Sequence, residues 1–124
     1  MQNNNEKPKI DLKKRAYLYA ISMIKFIDGL DKNDLSAQVI AKQLLRSSTS
    51  IGANIIEAQA GSTKRDFTNF FNYALKSANE SKFWIGLLRD SGKSDKIGDL
   101  LQETIELANI LGSSILTLRG KNKF

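Results

Sequence analysis

Serine, asparagine, glutamine and glutamate recur along one segment of this chain at a spacing that sets them side by side. Around the run RSSTSIGANIIEAQ, from Arg46 to Gln59, a helix turning by about 100° per residue brings Gln43, Ser47, Ser50, Asn54 and Glu57 onto one narrow arc. Two kinds of chemistry are open to such a set. A serine could act as a nucleophile, but it needs an activating base, and the 124 residues include no histidine and no cysteine. Only lysine, glutamate or aspartate could serve. The other use is a structural hydrogen-bond network, with Arg46 and Glu80 as partners, because an unpaired buried polar group costs about 1–3 kcal/mol. The network is the reading adopted here, with a ligand site as the alternative. An apolar arc of Ile40, Leu44, Ile51, Ile55 and Ala58 runs beside the stripe. Leu45, Gly52 and Ile56 point to the opposite side. The helix is therefore expected to be surrounded by protein, in a bundle core or between subunits.

The missing residue types exclude further chemistry. Without cysteine and histidine the chain lacks thiol catalysis, disulfides, the usual zinc ligands and the commonest general base. Glu103 and Glu106 lie three apart, but a di-iron site of the helical-bundle kind also wants histidine from a Glu-x-x-His motif, so they read as a solvated face. Phe67, Phe70, Phe71 and Trp84 read as core. No catalytic residue, metal or cofactor is assigned, and the protein is expected not to be an enzyme. No apolar run approaches the roughly 20 residues of a membrane span, and the start MQNNNEKPK lacks a hydrophobic signal core. A cytoplasmic location with no membrane partner is expected. A formal charge of +6 makes RNA or DNA a plausible partner, although such a charge also serves solubility.

The elements that must position the stripe follow from apolar periodicity in a chain with one proline, Pro8, and eight glycines. A first helix is predicted from about Ile10 to Asp28, with Leu12, Ala16, Tyr19, Met23 and Phe26 spaced by three and four. A second opens at Asp34 or Ser36 and continues to about Ala60, because Gly52 alone costs only about 1 kcal/mol against alanine. Gly61 stops it as a C-terminal glycine does. Thr63 and Asp66 resemble a capping box, which starts a third helix at Lys64 that runs to about Asp90. After SGKSD, with Ser94 as a new cap, a fourth extends from about Asp95 to Leu118. Residues 1–9 and 119–124 are expected to be flexible basic tails. Short connections between long helices favour antiparallel neighbours. The predicted fold is all-α, an up-down-up-down antiparallel four-helix bundle forming a single domain. Tyr17, Ile21, Ile24, Leu45, Ile56, Tyr73, Trp84, Leu100, Leu107 and Ile110 exceed what one core uses, and this surplus suggests self-association.

From Gln43 to Leu88 the chain is similar to the signature of the 23S rRNA intervening-sequence proteins. The matching positions are Gln43, Leu44, Arg46, Ser47, Ser50, Ile51, Asn54, Glu57, Asp66, Phe67, Phe70, Ala74, Ser77 and Glu80. Many relatives have glycine after the glutamate and proline at the first position of the third helix, where this chain has Ala58 and Lys64. The resemblance implies a four-helix protomer that assembles into a ring-like homopentamer. It extends to the accessory variability determinant of diversity-generating retroelements, a basic pentameric barrel that binds nucleic acid and a reverse transcriptase. The implied partners are therefore further copies of the chain, RNA or DNA, and a reverse transcriptase or other nucleic-acid enzyme.

Charge placement points the same way. In the predicted bundle Lys9, Lys13, Lys14, Arg15, Lys64, Arg65, Arg119 and Lys121 gather at one end, while aspartates dominate the other. Basic residues at the starts of the first and third helices sit on the unfavourable side of the helix dipole, at about 0.3–1 kcal/mol each. A bound phosphate would turn that cost into a gain. The end is therefore a candidate nucleic-acid-binding surface. The alternative is a protein-interaction module whose basic end contacts an acidic partner.

Overall fold

The computed structural model describes residues 11–121. Four helices account for most of them: α1 (Leu12–Asp28), α2 (Leu35–Ala60), α3 (Lys64–Asp90) and α4 (Gly98–Lys121). Consecutive helices pack against one another, most extensively α2 on α3, and α1 also meets α4, which closes the bundle. Each buried stripe alternates steps of three and four. On α2 it runs Ala37, Ala41, Leu44, Ser48, Ile51, Ile55, Ala58, and on α3 Phe71, Ala74, Ala78, Ser81, Ile85, Leu88. This 3.5-residue repeat is the pattern of helices that stay in register along their length. Alanine and serine fill many of these positions, so the α2 and α3 backbones can approach closely.

Side chains and loop geometry set the helix ends. Asp11 caps α1 by accepting from the Lys13 N–H at 3.2 Å, so the helix starts at Leu12, two residues later than the apolar pattern suggested. Asp34 rather than Ser36 caps α2, accepting from the Ala37 N–H at 3.1 Å. The Thr63 hydroxyl accepts from the Asp66 N–H at 3.0 Å, and α3 has the span expected of it. At the other end of α3, Gly92 takes a left-handed φ of 75°. The N–H of Lys93 then reaches the Leu88 carbonyl at 2.9 Å, and that of Gly92 reaches Arg89 at 3.1 Å, the paired bonds of a Schellman ending.

Three expectations are corrected. Gly61 ends α2 with extended backbone, φ −67° and ψ 146°, not a left-handed cap. Its missing side chain matters for space, since a Cβ there would lie 3.3 Å from both the Ala58 oxygen and the Asp66 Cβ. Ser94 does not cap α4. Its hydroxyl accepts from the Lys96 N–H at 3.1 Å, closing a local turn, and Ile97, 1% exposed, plugs the core before the helix begins at Gly98. At its far end α4 continues through Arg119 to Lys121, so those residues are helical and not tail. Residues 1–10 and 122–124, which include Lys9, lie outside the described residues.

Gly52 lies against Ala16 of α1. A Cβ built there would meet the Ala16 Cβ at 3.5 Å, an ordinary contact. Gly52→Ala should therefore keep the fold and raise stability by up to about 1 kcal/mol through helix propensity. Gly52→Leu should instead push α1 away and lower the melting temperature. Thermal unfolding of the two variants checks both signs.

Candidate functional site

At its deepest level the polar stripe is a pair of serines. Ser47 on α2 and Ser81 on α3 are fully buried, with their hydroxyl oxygens 2.8 Å apart. Ser81 donates to the Ser77 carbonyl at 2.8 Å, a closer acceptor than the Leu44 carbonyl is to Ser47 at 3.3 Å, so Ser47 supplies the proton between them. On the opposite side of the core, Tyr19 of α1 and Thr104 of α4 form a second pair at 2.6 Å. Thr104 donates to the Leu100 carbonyl at 2.6 Å, which makes the phenol the donor to Thr104. Ser81 is a further neighbour of the phenol. Each helix thus contributes one hydroxyl to a layer across the bundle. Burial pushes the Tyr19 phenol up to about 12, with its contacts to the Thr104 and Ser81 hydroxyls acting in the other direction.

The rest of the stripe climbs the α2–α3 seam towards solvent. Ser77 donates to Ser50 Oγ at 3.1 Å, and Asn54 Nδ2 donates to the Ser50 carbonyl at 2.9 Å and to its hydroxyl at 3.0 Å. The Arg46 guanidinium bridges Gln43 Oε1, at 2.9 and 3.2 Å, and the Glu80 carboxylate. The Trp84 indole donates to the same carboxylate at 2.8 Å. These two donors, the indole first, hold Glu80 below the usual carboxylate range. Gln43, Arg46, Ser47, Ser50, Asn54 and Glu80 are thereby brought together, whereas Glu57 stands exposed outside the network. All side-chain polar atoms buried among the described residues have partners. The expectation that α2 is surrounded by protein fails within one chain, because Leu45 and Ile56 are 37% and 50% exposed. They face away from the α3 seam, on the α1 side of the helix.

The basic residues divide differently from the sequence reading. Arg15 is clamped in the α1–α4 seam by both Glu103 oxygens at 2.7 Å and by Glu106 at 3.1 Å. Its charge is met inside the chain, and the two glutamates are its clasp, not merely a solvated face. Lys13, Lys14, Lys64, Arg65 and Arg119 are exposed, and Lys121 is the last residue of α4. Lys64, Arg65 and Arg119 occupy the end where α2 passes into α3. The Ala16 contact with Gly52 places Lys13 and Lys14 about seven residues, roughly 10 Å, short of that end.

Tyr19 and Thr104 escaped the sequence reading as polar partners. Tyr19 read as an ordinary member of the apolar stripe of its helix. Thr104 lies three residues after Leu101 and four before Ala108, which is core register. A threonine at such a position was the one available signal. Among the described residues no three carboxylates converge as a metal would require, and no helix is long and apolar enough to cross a membrane.

These features define a class, a four-helix bundle organised around a polar α2–α3 seam. The sequence profile of the 23S rRNA-intervening sequence protein family matches residues 8–113, and the chain belongs to that family. It is similar to a solved crystal structure from Bacteroides thetaiotaomicron, described as a protein with unknown function from the S23 ribosomal protein family. The two are 34% identical over 84% of this chain and 94% of the other, with a TM-score of 0.77. Among curated proteins none matches the chain significantly.

Two outcomes test the seam. An unfolded tyrosine titrates near 10, so the stability that Tyr19 contributes is whole below about pH 10 and is lost as the pH rises through about 12. Tyr19→Phe should cost about 1–2 kcal/mol at neutral pH and should remove that alkaline loss, as measured by denaturant unfolding at several pH values. Glu80 behaves in the opposite sense. Its contribution is present above the ordinary glutamate value and is lost as the pH falls through its lowered one. Emission from Trp84, the sole tryptophan, should report this acid transition while the helices persist, and Glu80→Gln should abolish it.

Proposed function

We propose that this chain is a non-enzymatic cytoplasmic bundle that assembles with copies of itself and presents its basic end to RNA or DNA, directly or as an accessory scaffold for a nucleic-acid enzyme such as a reverse transcriptase. The observation that carries this reading is the exposure of Lys13, Lys14, Arg65 and Arg119 on one half of the bundle, in a chain of net charge +6. Such residues suit phosphate contacts that are tolerant of sequence. The pentameric state rests on the family resemblance, and self-association is supported by large apolar side chains left exposed on several helices.

The test is binding of labelled RNA and duplex DNA across a salt titration, with the assembly mass followed by light scattering in the same buffers. If about six phosphates are neutralised, affinity should fall roughly a thousandfold or more between 50 and 200 mM salt. Lys14→Glu, Arg65→Glu and Arg119→Glu together should weaken binding to all sequences alike. A stable protein that binds neither polymer at low salt overturns the nucleic-acid reading and redirects the basic end to an acidic protein partner.

A further inference from the structure

A cleft of about 370 Å³ opens at the pole where α1 passes into α2 and α3 into α4, between the two loops that make those connections. Its size falls at the low end of the roughly 300–1,000 Å³ of small-molecule sites. Phe26, from the last turn of α1, and the buried Leu30 supply its apolar surface. Ionic groups of both signs stand around them. Lys25 and Asp31 belong to the α1 side, and Lys93, Asp95 and Lys96 to the α3–α4 side, with the Ser94 hydroxyl among them.

Both walls are fixed by contacts within the chain. The Lys93 ammonium is tied to the Asp34 carboxylate at 2.8 Å. Asp31 accepts from the Asn33 N–H at 2.9 Å through its carboxylate and from the Gln38 side chain at 2.9 Å through its carbonyl. The Ser94 hydroxyl accepts from the Lys96 N–H at 3.1 Å, so its own proton is left to donate. With Lys93 neutralised by Asp34, the lining keeps two ammonium groups, on Lys25 and Lys96, and two carboxylates, on Asp31 and Asp95. None of these four forms an ion pair among the described residues.

We propose that this cleft binds a free apolar α-amino acid, its side chain against Phe26 and Leu30 and its ammonium and carboxylate matched to the charges of the rim. The balance of charge selects this class. A simple anion would meet two lysines but face Asp31 and Asp95 as well, and a simple cation reverses the fault. An uncharged apolar molecule would desolvate the rim and give its polar groups no partner, which is costly. A zwitterion offers one charge to each sign, and its apolar part covers surface that an inorganic ion leaves wet. The cleft lies at the pole opposite Arg65 and Arg119, so this proposal and the nucleic-acid reading stand or fall separately.

The test is a titration of the isotope-labelled full chain with L-phenylalanine and, in turn, L-leucine, followed by amide chemical shifts. Saturable shifts confined to Gly29, Leu30, Asp31 and the segment from Lys93 to Ile97 are expected. Phenylpropionate, which lacks the ammonium, and L-phenylalaninamide, which lacks the carboxylate, should each bind roughly tenfold more weakly or worse than L-phenylalanine. Lys96→Gln and Asp95→Asn, both at exposed positions, should each weaken the amino acid by a similar factor while the amides within the helices keep their positions. Silence of both amino acids up to their solubility limits overturns the proposal. Equal affinity for L-phenylalanine and its two truncated analogues, or wild-type affinity in both variants, reduces the contact to a non-specific apolar one and overturns it too. Inorganic phosphate that shifts the same amides while the amino acids do not would make the cleft an anion site instead.

Discussion

The arrangement of this bundle depends on a layer of four buried hydroxyls, one from each helix. Ser47 and Ser81 hold α2 to α3, and Tyr19 and Thr104 hold α1 to α4. A purely apolar seam with a 3.5-residue repeat tolerates slips of one turn at modest cost, because one aliphatic contact replaces another. A hydroxyl in that seam has a partner at one register only, and any slip leaves it buried and unpaired. Polar residues in coiled-coil cores specify register by the same means, at some expense in stability. The sizes of the four side chains suit their places. Two serines span the tight α2–α3 interface, whereas a tyrosine is needed to cross the looser contact between α1 and α4.

The surfaces described above inherit their geometry from that layer. Once Ser81 is placed by Ser47, the next turns of α3 present Ser77 to Ser50 and Glu80 to Arg46, so the outer network continues the inner one. Trp84 is fixed in turn by its bond to Glu80. On the far side, the Tyr19 bond and the Arg15 clasp lie one turn apart on α1 and engage Thr104, Glu103 and Glu106 on α4. The rotation of α1 set by these contacts is what turns Tyr17 and Ile24 outwards.

Much of this was legible in the residues. Four helices and the composition of the α2–α3 stripe followed from periodicity, because steps of three and four over twenty or more residues admit little else. Arg46 and Glu80 could be named as polar partners of the stripe, whereas their pairing with each other depends on the register of α2 against α3, which the residues did not state. What escaped notice depended on rotation and register between helices. Arg15 and Glu103 are 88 positions apart, and nothing local says that a basic residue near the chain start will be neutralised rather than offered to a ligand. Tyr19 and Thr104 hid in the same way, each an acceptable core residue by itself. The start of α4 was misplaced because Ser94 has the right chemistry for a cap, while the burial of Ile97 decides where the helix begins.

The pole of the bundle away from the chain termini holds two loops, and they are fastened together. Asp34, the cap of α2, takes the Lys93 ammonium at 2.8 Å, and Leu30 and Ile97, one from each loop, are both buried. Among the described residues, the opposite pole has the short link of residues 61–63, the start of α1 and the end of α4. Opening of the native state is therefore polarised. Amide protons near the start of α1 and the end of α4 exchange through shallow local fluctuations, whereas those beside the fastened loops wait for the whole helix assembly to come apart. On the nucleic-acid binding proposed above, the basic surface would lie on the less firmly tied half, and a bound polyanion would order it against the half whose loops are fastened.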